Sequence, residues 1–162
     1  MFEARSIDSG SKPDFYRELA GQLEALLAGE SDPVANAANT SALLFQMMPD
    51  LNWAGFYIMR SGELVLGPFQ GKPACVRIPV GKGVCGAAVA QGKSMLVEDV
   101  HAFPGHIACD SASNSELVVP LVSSKGELIG VFDLDSPVQD RFDVDDQHGL
   151  ESIARAFVES LE

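Results

Sequence analysis

One of the three cysteines lies in a segment with the composition of a reactive loop. Residues 101–116 read HAFPGHIACDSASNSE, which is too polar and too rich in small residues for a core element, and loops of this kind often carry function. Cys109 follows His106 by three residues, so a neighbouring imidazole or loop N–H groups could stabilise its thiolate and make it a nucleophile. Alternatively, Cys109 is a small buried hydrophobic residue and His106 a solvated loop side chain. Spacing alone leaves both interpretations open.

Two acids form a second candidate site in the segment IGVFDLDS, residues 129–136. Successive residues of a strand point to opposite faces, so Asp133 and Asp135 share one face. Like charges this close disfavour double ionisation and raise the pKa of one carboxyl, and Glu116 nearby would raise it further. Such a group could donate a proton at neutral pH. The competing interpretation is a strand end that enters solvent.

Two aromatic residues could form the wall of a pocket. Trp53 and Tyr57 lie four residues apart on a predicted strand and therefore on one face, with Gly55 leaving little bulk between them. Core packing explains this pattern equally well.

Other ligand classes are disfavoured. The glycines at positions 81, 83 and 86 are not followed by the Lys-Ser or Lys-Thr of a phosphate loop. The cysteines are 10 and 24 residues apart with no C-x-x-C pair, so no metal site is expected. With 23 acidic and 11 basic residues, the formal net charge of −12 would repel nucleic acid and anionic lipid.

The chain shows no signal for secretion or membrane insertion. No apolar stretch approaches the roughly 20 residues of a membrane span, and the first residues, MFEARS, lack the basic and apolar regions of a secretory signal. We therefore expect a cytoplasmic protein whose three cysteines are free at rest.

The remaining pattern predicts the elements that must position these residues. Apolar residues at helical spacing predict one helix from about Phe15 to Gly29, a second from Pro33 to just before Pro49, and a third from Asp143 to Leu161. The small residues of 83–91 predict a short helix. Segments rich in β-branched or aromatic residues predict strands at 53–59, 63–69, 74–79, 94–98, 117–123 and 127–135. This order predicts one α+β domain over residues 13–162, with a central antiparallel sheet of about six strands flanked by helices from both termini, after a flexible tail at 1–12.

Four long segments connect the chain to a known family. They are NWAGFY at 52–57, LGPFQGKPACVRIPVGKGVCG at 66–86, EDVHAFPGHIACDSASNSELVVPL at 98–121 and IGVFDLDS at 129–136. Together they resemble the free methionine-(R)-sulfoxide reductases, a family built on a GAF domain. The resemblance covers nearly the whole chain after the first dozen residues and implies a GAF-like fold.

The resemblance also implies a role for each candidate residue. Cys109 matches the nucleophile, Cys75 the cysteine that resolves its oxidised form, and Cys85 a third cysteine that is auxiliary or an alternative resolving thiol. The acidic residues of the substrate pocket, one of them a proton donor, are matched by Glu116, Asp133 and Asp135. Its aromatic wall is matched by Trp53 and Tyr57.

The activity implied is reduction of free L-methionine-(R)-sulfoxide through a cysteine sulfenic acid and an intramolecular disulfide that thioredoxin reduces. No metal or organic cofactor is implied, and the family suggests a homodimer. The alternatives are a non-catalytic GAF module that senses a small ligand and a thiol redox sensor. Bilin attachment is disfavoured because Asp110, not histidine, follows Cys109.

Overall fold

The predicted strands form one antiparallel sheet in the computed structural model, which describes residues 1–162. The sheet contains six strands in the spatial order β3-β2-β1-β6-β5-β4. Their bounds are β1 (Trp53–Arg60), β2 (Glu63–Gly71), β3 (Arg77–Pro79), β4 (Met95–Val97), β5 (Ser115–Val122) and β6 (Leu128–Ser136). The long central strands β1 and β6 therefore lie at the middle of the sheet.

Four α-helices pack around the sheet. They are α1 (Lys12–Leu27), α2 (Pro33–Met47), α3 (Gly83–Gln91) and α4 (Val144–Glu159), and a 3₁₀ turn covers Val100–Ala102. Local chemistry sets where they begin. Asp32 accepts hydrogen bonds from two backbone N–H groups of the first turn of α2, and Asp143 forms a reciprocal capping box with Asp146 at α4. Such caps satisfy N–H groups that have no partner within the helix.

The sheet separates two hydrophobic clusters. The larger contains 21 buried residues, with Phe56 and Phe132 among its members, and lies where α2 and α4 pack on the sheet and α1 packs on α4. The smaller contains 11 buried residues, with Tyr57 from β1 and Val131 from β6 among them, and packs around α3. Alternation along β1 and β6 thus sends one side-chain set to the terminal helices and the other to α3.

The observed bounds differ from the predicted ones at two places. Helix α1 begins at Lys12, capped by Ser11, rather than near Phe15. Of the predicted strand at 74–79, only Arg77–Pro79 is strand. Val76 still accepts a hydrogen bond from the backbone N–H of Leu66 on β2, whereas Cys75 is bonded to Cys109.

The first eleven residues contain no helix or strand, but they are not a loose tail. The backbone N–H of Arg5 donates to the side-chain oxygen of Gln22, and the Gln22 amide donates back to the Arg5 carbonyl oxygen, each at 2.8 Å. Ala4 and Ile7 pack against the larger cluster. The segment is therefore held along α1 by contacts that its local composition does not predict.

No helix of the structure is long and apolar enough to cross a bilayer.

Candidate active site

Cys75 and Cys109 are joined by a disulfide. Cys75 lies in the loop between β2 and β3, and Cys109 lies in the loop that leads into β5, 34 residues further along the chain. Their Cα atoms are 5.4 Å apart. Three free cysteines were expected; the structure contains this pair and one free cysteine, Cys85. The two loops meet because the fold brings them to the same face of the sheet, the face that α3 covers.

The loop that carries Cys109 is anchored by a polar network that the sequence analysis missed. The side-chain amide of Asn52 donates to Asp110 at 3.1 Å and to Ser113 at 2.9 Å. Asp110 also accepts a hydrogen bond from the backbone N–H of Ala112 at 2.9 Å, which lowers its pKa. An acid followed by small residues is a signal for this kind of Asx turn. The network holds the residue after Cys109 against the start of β1.

Three carboxyl groups lie together on the same face. Pairing of β5 with β6 places Glu116 opposite Asp135. Asp133 lies two residues before Asp135 on β6 and therefore on the same face. Glu116 and Asp133 are 6% and 5% exposed, and Asp135 is half-buried. The predicted pair of acids on one strand is thus joined by a third acid from the neighbouring strand.

Burial controls the charge of this cluster. Removal from water raises the pKa of Glu116 well above its usual range, and the charges of Asp133 and Asp135 raise it further. The pKa of Asp133 rises to about 7, again because of burial. Burial and the charge of Asp133 raise the pKa of Asp135 well above its usual range. At neutral pH the cluster therefore retains protons, as a proton donor requires.

Cys85 belongs to the same cluster. It lies on α3, and its thiol donates to Glu116 Oε1 at a sulfur–oxygen distance of 3.8 Å. Burial and the neighbouring acids raise the pKa of its thiol. Ligand atoms of Cys85, Glu116 and Asp133 lie within 4.8 Å of one another, close enough for a metal ion. Metal binding needs deprotonated ligands, however, and this environment favours the protonated forms, so the group is better described as a hydrogen-bonded acid cluster.

An aromatic wall closes one side of the site. The Trp53 ring stacks on Tyr57 with a centroid separation of 5.8 Å and on Phe69 with one of 5.2 Å. Phe69 was not predicted as part of the site. Its approach depends on Gly55, where an added Cβ would lie only 2.8 Å from the Phe69 Cα atom. The wall is thus built from β1 and β2 together.

One cavity of about 40 Å³ is lined by Cys109 of the disulfide, by the three acids and by Trp53 and Tyr57 of the wall. All eight residues predicted for the site lie at it: seven line it directly, namely Trp53, Tyr57, Cys85, Cys109, Glu116, Asp133 and Asp135, and Cys75 joins through its disulfide. Lys72 and His106 also line it. Two buried polar atoms at this cavity, the Trp53 indole nitrogen and Asp133 Oδ1, have no hydrogen-bond partner. Unpartnered buried atoms are rare, and this donor and acceptor are suited to a polar ligand.

A cavity on one face of an antiparallel sheet, with helices from both termini on the other, is the architecture of a GAF domain. The sequence profile of the GAF domain matches residues 40–162. Here the domain carries a disulfide-forming cysteine pair at its pocket.

Comparison with known proteins assigns the family. The chain is 57% identical over 143 residues to the free methionine-R-sulfoxide reductase of Escherichia coli, covering 88% of this chain and 86% of that one. It is 41% identical over 152 residues to the enzyme of the same name from Saccharomyces cerevisiae, covering 90% and 84%. The structure of free methionine-R-sulfoxide reductase from Neisseria meningitidis in complex with its substrate superposes with a TM-score of 0.94, at 46% identity and 99% and 96% coverage. The chain belongs to the free methionine-(R)-sulfoxide reductase family.

Proposed function

We propose that this protein reduces free methionine-(R)-sulfoxide to methionine with Cys109 as the nucleophile. The observation that carries the proposal is the meeting of Cys109, bonded to Cys75, with proton-bearing carboxyls in one cavity. Relatives covering nearly the same length carry the name of this activity.

The cavity suits a small zwitterion with a polarised S–O bond. Asp133 Oδ1 is an acceptor without a partner and lies where it could receive the substrate ammonium group. The Trp53 indole N–H is a donor without a partner and could bind the sulfoxide oxygen. Satisfying both atoms would favour binding, since each buried unpaired group costs about 1–3 kcal/mol. The rings of Trp53 and Tyr57 would contact the apolar end of the substrate.

In the first chemical step, the sulfoxide oxygen is proposed to move from the substrate to the sulfur of Cys109. The Cys109 thiolate attacks the sulfoxide sulfur while the Glu116 carboxylic acid protonates the oxygen. The hydroxyl then moves from the substrate sulfur to Cys109 Sγ as the transient S–S bond breaks. Methionine leaves, Cys109 becomes a sulfenic acid and Glu116 becomes a carboxylate. We choose Glu116 because burial and the neighbouring charges both raise its pKa, and because it is held by the Cys85 thiol. Cys85 is accordingly assigned an auxiliary role.

The second step is proposed to close the disulfide. The Cys75 thiol attacks the sulfenic sulfur of Cys109, the oxygen leaves as water and the S–S bond forms. The structure contains this disulfide and thus corresponds to the oxidised product of the cycle. Two electrons from an external dithiol must then restore both thiols. We propose thioredoxin as that dithiol, a cytoplasmic location, and a homodimer as in the family; no metal or organic cofactor takes part in the cycle.

The decisive experiment mixes the purified protein with dithiothreitol and free methionine-(R)-sulfoxide and measures methionine. A reductase releases many methionines per chain, whereas a ligand sensor releases none and a redox sensor is oxidised without turnover. Cys109→Ser should release none. Cys75→Ser should release about one per active site and then fail with thioredoxin. Multiple turnovers by Cys109→Ser at the wild-type rate would overturn the assignment of the nucleophile.

A further inference from the structure

In the proposed cycle, Glu116 must regain a proton after each turnover. Each oxygen transfer converts its carboxylic acid to a carboxylate, and the acid must be restored before the next turnover. Glu116 is only 6% exposed, and the neighbouring Cys85 and Asp133 are 4% and 5% exposed. None of these three groups gives direct access to bulk water. A partly exposed group that contacts Glu116 is therefore needed.

His106 occupies that position. Its Nε2 atom lies 3.9 Å from Glu116 Oε2, and its side chain is 15% exposed against 8% for that of Glu116. It lines the same cavity, on the side of the loop that carries Cys109. On the opposite side of Glu116 stands the buried Cys85 thiol, at 3.8 Å. Cys85 and Asp133 contact Glu116 but are buried, and Asp135, which is half-buried, acts on Glu116 through its charge without a hydrogen bond to it. The imidazole is the contacting group that reaches solvent.

The chemistry of the ring fits a relay. Burial, and then the charge of the neighbouring His101, lower the pKa of His106, so the imidazole is neutral at pH 7. A neutral imidazole carries one N–H donor and one acceptor nitrogen and can pass a proton through the ring. Glu116 on β5 and His101 on the 3₁₀ turn are the titratable groups that face it, and Asp133 and Asp135 lie beyond Glu116.

We propose that His106 relays protons from bulk water to Glu116 between turnovers. A movement of the His106 ring closes the 3.9 Å separation to hydrogen-bond distance. One proton then enters at Nδ1 from water as the Nε2 proton passes to the Glu116 carboxylate, so the ring stays neutral and one proton is delivered. Exchange with solvent or rotation of the ring then restores the starting tautomer. His106 acts through Glu116 and does not touch the reacting sulfur. This inference rests on the proposed function, because Glu116 loses its proton only when the substrate is reduced.

The test compares first and later turnovers of His106→Gln. Reduced, equilibrated enzyme begins with Glu116 protonated, so a rapid-quench experiment should show the first methionine released at the wild-type rate. With dithiothreitol at saturating concentration, later turnovers should be slower by at least about 10²-fold, the low end of the range for general acid–base effects. Added imidazole should restore them. Thiol titration during turnover should show that the disulfide is reduced as fast as in the wild type.

The matched control is His148→Gln. His148 is exposed on α4, on the opposite face of the sheet from the cavity, and its replacement should leave every turnover unchanged. Unaltered steady-state turnover in His106→Gln would overturn the relay. Equal slowing of the first and later turnovers without imidazole rescue would also overturn it and assign His106 to positioning the Cys109 loop. Absence of methionine even from wild-type enzyme would instead reject the proposed function.

Discussion

The hydroxyl of Tyr57 donates a hydrogen bond to the backbone carbonyl oxygen of Cys75 at 2.9 Å. This bond joins the aromatic wall on β1 to the loop that carries the proposed resolving cysteine. Burial, followed by the charge of Asp133, raises the pKa of Tyr57, so the hydroxyl remains protonated and available as a donor. The distance from Cys75 to Cys109 thus depends on a residue that also lines the cavity.

Replacement of Tyr57 by Phe should separate the two chemical steps. The ring is retained, so the first methionine should be released at close to the wild-type rate. Disulfide formation should slow by roughly 2- to 10-fold, because one hydrogen bond contributes about 0.5–1.5 kcal/mol. Rapid-quench measurement of methionine, with thiol titration of the same samples, resolves the two rates. Tyr16, the other tyrosine, bonds to Asp146 far from the cysteines, so Tyr16→Phe should change neither. Equal slowing of both steps in Tyr57→Phe would contradict this role.

The acid cluster should make the oxidised protein less stable as the pH rises. Asp133 has an ordinary pKa of 3.8 that rises to about 7 in the folded protein, so the folded state binds more protons than the unfolded chain between these values. Its contribution is complete below pH 3.8 and is lost as the pH rises through about 7. At about 1.4 kcal/mol per pKa unit, the loss is on the order of 4 kcal/mol.

Urea unfolding of the disulfide-bonded protein at several pH values measures this effect. The free energy of unfolding should fall from pH 5 to pH 8, and Asp133→Asn should flatten that slope. Asp110→Asn is the control, because the pKa of Asp110 is lowered and its contribution is lost only as the pH falls. An unchanged slope in Asp133→Asn would show that the carboxyl is already ionised in the folded protein over this range.

The sequence predicted the parts of the site that follow from local periodicity. Alternation along β6 was enough to place Asp133 and Asp135 on one face, and the structure confirms it. The pairing of Glu116 with Asp135 was beyond prediction, because strand register is set by tertiary packing.

Contacts between distant segments account for the differences. The first three residues of the strand predicted at 74–79 belong to a loop instead. In that loop the carbonyl oxygen of Cys75 accepts a hydrogen bond from Tyr57, and the Cys75 sulfur is bonded to Cys109. The bonds of Asn52 to the Cys109 loop join residues about 60 positions apart, as 110 and 113 lie 58 and 61 residues beyond 52. Such contacts carry no local periodic signal.

Removal of Cys85 should leave the disulfide cycle intact. Its thiol is buried with a raised pKa, so it is a poor nucleophile, and Cys75 is already bonded to Cys109. Turnover of Cys85→Ala with dithiothreitol should fall by less than about tenfold, the value of one hydrogen bond to Glu116. Peptide mapping without reduction should show the Cys75–Cys109 pair after one turnover. Loss of that pair in Cys85→Ala would show that Cys85 reacts with oxidised Cys109 before Cys75 forms the final disulfide.

Gly55 should be the position of the aromatic wall least tolerant of a side chain. A Cβ there would lie 2.8 Å from the Phe69 Cα atom and 2.8 Å from the Trp53 ring, so Gly55→Ala must move β2 or unstack the rings. We expect a loss of about 1–3 kcal/mol in the free energy of unfolding, as for other overpacked sites. We also expect a higher KM for methionine sulfoxide, because Trp53 moves. Gly21→Ala is the control: Gly21 lies in α1 with open space around it, and alanine there should stabilise the helix by up to about 1 kcal/mol. Urea unfolding and initial-rate kinetics measure both variants. Equal stability of Gly55→Ala and wild type would show that β2 and the stacked rings can shift without loss of stability.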